Sequence, residues 1–185
     1  MFSGVDTSGV LTAADVERLS LPGKQVELVR GRLVVREPPG TRHGVIAANL
    51  TIHIGTFVRQ RGLGIVCAQD TGFKIASDPD TVRAPDVAVL STEQVARIPP
   101  RGYAEVAPAL VVEVLSPDDS LSELLTKVAD WLAGGTRLVW LVDPRRKHVV
   151  VYRQDGGVSL LRGDGSLDGE DVLPGFACPL ADVFA

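Results

Sequence analysis

A nearly unbroken apolar and β-branched run, Ala109 to Leu115 (ALVVEVL), is the feature that most constrains this chain. Such a run fits a central strand covered on both faces and does not fit a strand with one face in water. Ser116-Pro117-Asp118-Asp119-Ser120 follows as a turn and helix cap. Leu121 to Ala133 then reads as a helix, with Leu121, Leu124, Leu125, Val128, Trp131 and Leu132 as its apolar stripe. Gly134-Gly135 ends that helix, and Arg137 to Val142 (RLVWLV) is a second apolar strand. Strand, helix, strand at this spacing is a βαβ unit, so 109–115 and 137–142 are predicted to be parallel neighbours.

The rest of the chain supplies elements to flank that unit. Thr12 caps a short helix from Ala13 to Leu19, with Asp15 placed to close a capping box. Val26 to Val29 and Arg32 to Val35, split by Arg30-Gly31, read as a hairpin. From His43 to about Arg61 the apolar residues Ile46, Leu50, Ile54, Phe57 and Val58 recur at helical spacing. Strands are predicted at 64–69, 72–76 and 84–90, with Asp78-Pro79-Asp80 as a turn. Residues 91–106 read as an irregular loop. His148 to Arg153 and Val158 to Leu161 form a further hairpin, and the tail from Val172 is mostly irregular, with a short turn at Leu180 to Phe184. No repeat or linker divides residues 1–185, so the expectation is one α/β domain.

Composition narrows the function classes. With 185 residues, 23% of them charged, and a net charge of −4, the chain is globular and carries no general basic coat. Any nucleic-acid contact must come from a local basic patch. Cys67 and Cys178 have no partner at metal-ligand spacing and read as buried, reduced thiols. Met1 to Leu11 has neither a basic start nor an apolar core, so no signal peptide is expected, and no stretch suits a bilayer. A cytoplasmic protein without a membrane partner is the expectation.

The residue least at home in this pattern is Glu113, inside Val111-Val112-Glu113-Val114-Leu115. A carboxylate within a central strand is costly unless it is paired, hydrogen-bonded or bound to metal. It is read either as a functional carboxylate or as a strand-end or ion-paired group. Asp86 follows Pro85 at the start of another apolar strand. Taken alone it is ordinary turn chemistry; beside Glu113 it could complete a pair of hard oxygen ligands suited to Mg²⁺ or Mn²⁺. Lys127 falls at the edge of the helix stripe. It could reach the strand ends or form a surface pair with Glu123.

The ordered set Pro85-Asp86, Glu113 and Lys127 resembles the PD-(D/E)XK nuclease superfamily. More closely, LTAADVERL, VELVRGRLVV, DTGFKI, VRAPDVAVL, the block from PALVVEVLSP through WLAGGTRLVWLVDP to VYR, and GEDVLPGF resemble the Uma family of restriction-endonuclease-like proteins. The resemblance spans nearly the whole chain. It departs from the superfamily pattern after the glutamate, where Val114 and Leu115 stand in place of the lysine expected two residues on. The Uma-type pattern is similar in this respect, with the following helix supplying the lysine, here Lys127. The resemblance implies a restriction-endonuclease-like mixed β-sheet flanked by helices. It further implies metal-dependent phosphodiester hydrolysis, with DNA as the partner and a homodimer as a natural assembly. Asp86, Glu113 and the backbone carbonyl of Val114 would hold Mg²⁺ or Mn²⁺, and Lys127 would orient the attacking water. Glu27 is similar to a family-typical acidic position, either as an auxiliary ligand or as an exposed hairpin residue.

Other polar residues are weighed against plainer roles. His43 opens the long helix and could touch phosphate or an outer-sphere water, or could be a capping or surface residue. His53 and His148 are structural on this reading, and Trp131 and Trp140 belong to the core. Arg145-Arg146-Lys147 could meet a nucleic-acid backbone, although a solvated hairpin tip is the plainer reading. Two other functions compete with the nuclease. One is an inactive nuclease-fold protein that binds nucleic acid or a protein. The other is a hydrolase of small phosphodiesters.

Overall fold

The computed structural model describes residues 9–19, 21–117 and 119–185. Most of the amino-terminal stretch read for a leader, and Asp118 of the predicted turn, lie outside them.

The chain opens with helix α1 (Ala13–Glu17), capped by Thr12 through the expected capping box with Asp15. The hairpin β1 (Gln25–Val29) and β2 (Arg32–Arg36) follows, then the long helix α2 (Thr41–Arg61), which stops at Gly62 in the left-handed conformation. Next come β3 (Gly64–Ala68), β4 (Phe73–Ala76), β5 (Thr81–Arg83), β6 (Val87–Ser91) and the short helix α3 (Thr92–Val95). The βαβ unit is β7 (Leu110–Val114), α4 (Leu121–Gly134) and β8 (Leu138–Asp143). The chain finishes with β9 (His148–Arg153), β10 (Val158–Arg162), β11 (Ser166–Asp168), β12 (Ala177–Pro179) and α5 (Leu180–Val183).

The main sheet has six strands in the order β10-β9-β8-β7-β6-β3. Among its described strands only β7 and β8 run parallel, in register from Leu110↔Leu138 to Val114↔Val142, as a βαβ crossover requires. Every residue of β7 is buried, which accounts for its unbroken apolar character. Alternation then sorts its side chains. Leu110, Val112 and Val114 pack with Ile46, Leu50 and Ile54 of α2, whereas Val111 packs with Val128 and Trp131 of α4. Glu113 shares the parity of Val111 and therefore faces α4.

A second sheet, β2-β1-β5-β4, closes over the other side of α4. Leu28 and Val82 pack with Leu11 and Val16 around α1. Glu27 and Arg83 of the same two strands reach the opposite way, to Lys127 and Asp130 of α4. Helix α4 is thus held between two sheets, and the polar groups on its flank are enclosed rather than solvated.

Four expectations change. The predicted strand 84–90 begins only at Val87, as β6 in the large sheet, and an unexpected strand, β5, precedes it in the small sheet and ends at Arg83. Ala84-Pro85-Asp86 carries the chain between sheets, and Pro85 has no N–H to sustain a ladder there. Residues 91–106 are not wholly irregular, because Ser91 and Gln94 form a capping box for α3. In α4 only Leu124, Val128 and Trp131 are buried; Leu121 and Leu125 face solvent. The tail forms the β11–β12 pair and α5, seating Leu167, Phe176, Cys178, Leu180 and Val183 against the α2 side of the core. Cys178 is buried as expected, and Cys67 is half-buried. Among the described residues, no helix is long and apolar enough to cross a membrane.

Candidate active site

The ladder between β6 and β7 is antiparallel, with Val87 opposite Val112. Asp86 directly precedes that ladder, and it lines the same cleft as Glu113. The Asp86 N–H donates to Val112 O at 3.1 Å. Its carboxylate accepts the Val114 N–H at 2.7 Å, so the first acidic residue is pinned to the strand that carries the second. Gln69 Nε2 lies 3.3 Å from Asp86 Oδ1, and His43 Nε2 lies 3.1 Å from Asp86 Oδ2.

Glu113 is buried, and both its oxygens have donors on α4. Lys127 Nζ lies 3.1 Å from Oε2, and the Trp131 indole N–H donates to Oε1 at 2.9 Å. Lys127 and Trp131 are four residues apart and so share one helix face. The surface pair of Lys127 with Glu123 does not form; Glu123 caps the helix with Ser120 instead. Lys127 also lies 3.4 Å from Glu27 Oε1. Glu27 is buried rather than exposed. Arg83 Nη1 donates to its Oε2 at 2.9 Å and the Ala84 N–H to its Oε1 at 3.1 Å. Arg83 in turn grips Asp130 through Nε and Nη2, at 3.1 and 2.5 Å.

These groups meet at a cleft of about 310 Å³. Its walls include Asp86, Glu113, Val114 and Lys127, with His43 and Gly40 from the start of α2 and Arg36 from β2. Glu27 is not in the lining; it stands behind Lys127. The sequence-predicted set is therefore brought together, with Glu27 on the inner side. His43, read as a cap or a phosphate contact, is neither a cap nor a surface residue: it is buried against Asp86.

The electrostatics follow from burial and partners. Burial pushes the Glu113 carboxyl up to about 7; Lys127 opposes this, while Asp86 and Glu27 add to it. Burial would lower Lys127, but the Glu113 and Glu27 carboxylates outweigh it and hold the ammonium charged. Burial likewise works against charged His43, and its bond to Asp86 overcomes that and raises it. Glu27 ends below the usual carboxylate range, because Lys127 and Arg83 outweigh its burial.

Sequence reasoning missed Trp131 as a polar partner and missed the Arg83–Asp130 link entirely. The signal for Trp131 was its spacing from Lys127: a helix face that delivers one to Glu113 delivers the other. Arg83 gave no such signal, because its partners come from a hairpin and a helix far apart in sequence.

A central mixed sheet flanked by helices is the architecture that the restriction-endonuclease-like resemblance implied, and Asp86, Glu113 and Lys127 gather at the ends of its middle strands. A family model described as "Uma2: Putative restriction endonuclease" matches residues 13–181, and the chain belongs to that family. Among solved structures, the chain is similar to one described as a putative nuclease belonging to DUF820 from Anabaena variabilis. The TM-score is 0.79 at 22% identity, covering 94% of this chain and 97% of that one. A comparison with curated proteins found no match.

The oxygen donors at the cleft fit a hard divalent cation in type: two carboxylates and the Val114 carbonyl, with no thiolate. Among the described residues, no three or more His, Cys, Asp or Glu side chains are grouped to hold a metal ion. A cation there would need the backbone carbonyl, water or substrate oxygens to complete its shell, as Mg²⁺ commonly does.

Proposed function

We propose that the chain is a Mg²⁺- or Mn²⁺-dependent phosphodiester hydrolase acting on DNA. The observation that carries this reading is the buried Glu113, 3.1 Å from Lys127 and sharing the wall of one cleft with Asp86. Asp86, Glu113 and the Val114 carbonyl would hold the cation, which supplies Lewis-acid polarisation of the phosphate and a more acidic bound water. Asp86 is oriented for this by the Val114 N–H and Gln69. Lys127, kept charged by two carboxylates, would offset the charge that develops on the phosphate and orient the attacking water. Glu27 acts through Lys127 as a positioning residue, since its own oxygens are taken by Arg83 and the Ala84 N–H.

A second reading, a nuclease fold that binds without cutting, is favoured by one observation: both Glu113 oxygens already have protein donors. Calorimetric titration of Mn²⁺ into wild type and Glu113→Gln, with plasmid cleavage in parallel, separates the two. Binding and cleavage that both vanish in the variant support the hydrolase. DNA binding with no cleavage and no metal uptake supports the second reading.

A further inference from the structure

The turn between β8 and β9, Pro144 to Lys147, carries Arg145, Arg146 and Lys147, all exposed, on a chain whose net charge is −4. A solvated hairpin tip needs no support from elsewhere, yet this one is held from three sides. Buried Asp143 accepts the N–H groups of Arg145 and Arg146 at 2.8 and 2.9 Å. The Leu115 N–H donates to Val142 O at 2.9 Å, so the turn leaves the sheet beside the end of β7, one residue beyond the level of Val114. The Arg42 guanidinium donates to Pro144 O at 2.8 Å. Arg42 adjoins His43, which contacts Asp86, so consecutive residues of α2 anchor the turn and the acidic cleft.

The backbone of the turn is thus fixed while its cations stay available. Among the described residues, Arg146 pairs only with Asp143, at 3.3 Å, and its side chain remains 78% exposed. Among the described residues, Arg145 and Lys147 pair with no carboxylate. Three cations held at the carboxyl ends of β7 and β8, next to a cleft built from carboxylates, suit a polyanion whose backbone crosses the cleft. The cations would meet phosphates to one side of the bond placed at Asp86 and Glu113.

We propose that the β8–β9 turn is the phosphate-backbone clamp of this protein, gripping duplex DNA beside the cleft through Arg145, Arg146 and Lys147. This rests on reading the cleft as a DNA hydrolase. The test is binding of a fluorescein-labelled duplex of about 20 base pairs, followed by polarisation across a salt series with EDTA present. Arg145→Ala/Lys147→Ala should weaken binding about tenfold or more. It should also flatten the slope of log K against log salt by about 2, roughly 0.9 for each lost phosphate contact. Arg59→Ala/Arg61→Ala, which removes the same charge from the far end of α2, should leave both nearly unchanged. A wild-type slope retained in the turn variant, an equal loss in the α2 variant, or no duplex binding by wild type at low salt would each overturn the clamp. Metal titration of the turn variant separates this from the nuclease reading. Turn-dependent DNA binding without metal uptake or cleavage leaves the clamp standing and removes the hydrolase. Cleavage with an unchanged KM in the turn variant does the reverse.

Discussion

Glu27 and Glu113 are the same residue type, each 4% exposed, and Lys127 touches both. Yet one sits below the usual carboxylate range and the other is pushed up to about 7. Burial is the largest influence on each, so burial does not separate them; the company does. Glu27 has a guanidinium, an ammonium and a backbone N–H. Glu113 has a shared ammonium and a neutral indole, with Asp86 and Glu27 as like-charged neighbours. A buried carboxylate with its charge matched is structural, whereas one short of positive charge has a use for a cation.

The strongest way to break the comparison is to make Glu27 as poor in partners as Glu113. Arg83→Met strands Glu27 and Asp130 at once and should cost about 3–5 kcal/mol in urea unfolding. A loss below about 1 kcal/mol would mean that the Arg83 network is not the matched pair described.

Removing charge from the other glutamate should act on function instead. Glu113→Gln should reduce Mn²⁺-supported cleavage by more than about 100-fold, beyond what loss of a residue merely supporting a ligand costs. It should melt at or above the wild-type temperature, since repulsion with Asp86 falls. Lower stability with unchanged metal affinity would make Glu113 a structural partner of Lys127.

The pH dependence sharpens the contrast without a substrate. A folded-state value near 7 against 4.5 unfolded means the native protein binds the extra proton between those values. The Glu113 contribution is therefore full below about pH 4.5 and is lost as pH rises through 7, by at most about 3 kcal/mol. Metal-free wild type should lose stability relative to Glu113→Gln across that window in paired urea titrations. Parallel curves would show that Glu113 ionises normally.

The smallest expected effect concerns the indole. Trp131→Phe keeps most of the packing but removes the N–H to Glu113 Oε1, at a cost of about 1–2 kcal/mol in the same assay. It should also move the Glu113 window upward, because that bond favours the charged form. An unmoved window would mean that the indole packs and does not tune.

Local chemistry made much of this molecule legible. The Thr12 capping box, the two hairpins and the long helix ending at Gly62 each depend on neighbours close in sequence, and the βαβ unit on the strand–helix–strand order of one contiguous segment. Where the reading slipped, distant contacts decided. Val82 and Val89 are both apolar strand residues, and only pairing with Leu28 or with Leu110 assigns them to different sheets. Leu125 looks like Leu124 in sequence, but the folded chain buries one and leaves the other exposed.

The candidate site divides in the same way. The sequence by itself determined that Glu113 would sit within a strand whose apolar residues fit burial on both faces, and that Lys127 would lie at the margin of its helix stripe. Only the tertiary structure decided which charges meet. Parity turns Glu113 toward α4, the end of the β6–β7 ladder brings Asp86 to the same cleft, and the second sheet brings Glu27 and Arg83 to the far side of Lys127. Side-chain periodicity is a property of one strand or helix, whereas charge balance sums over every element that converges on a point.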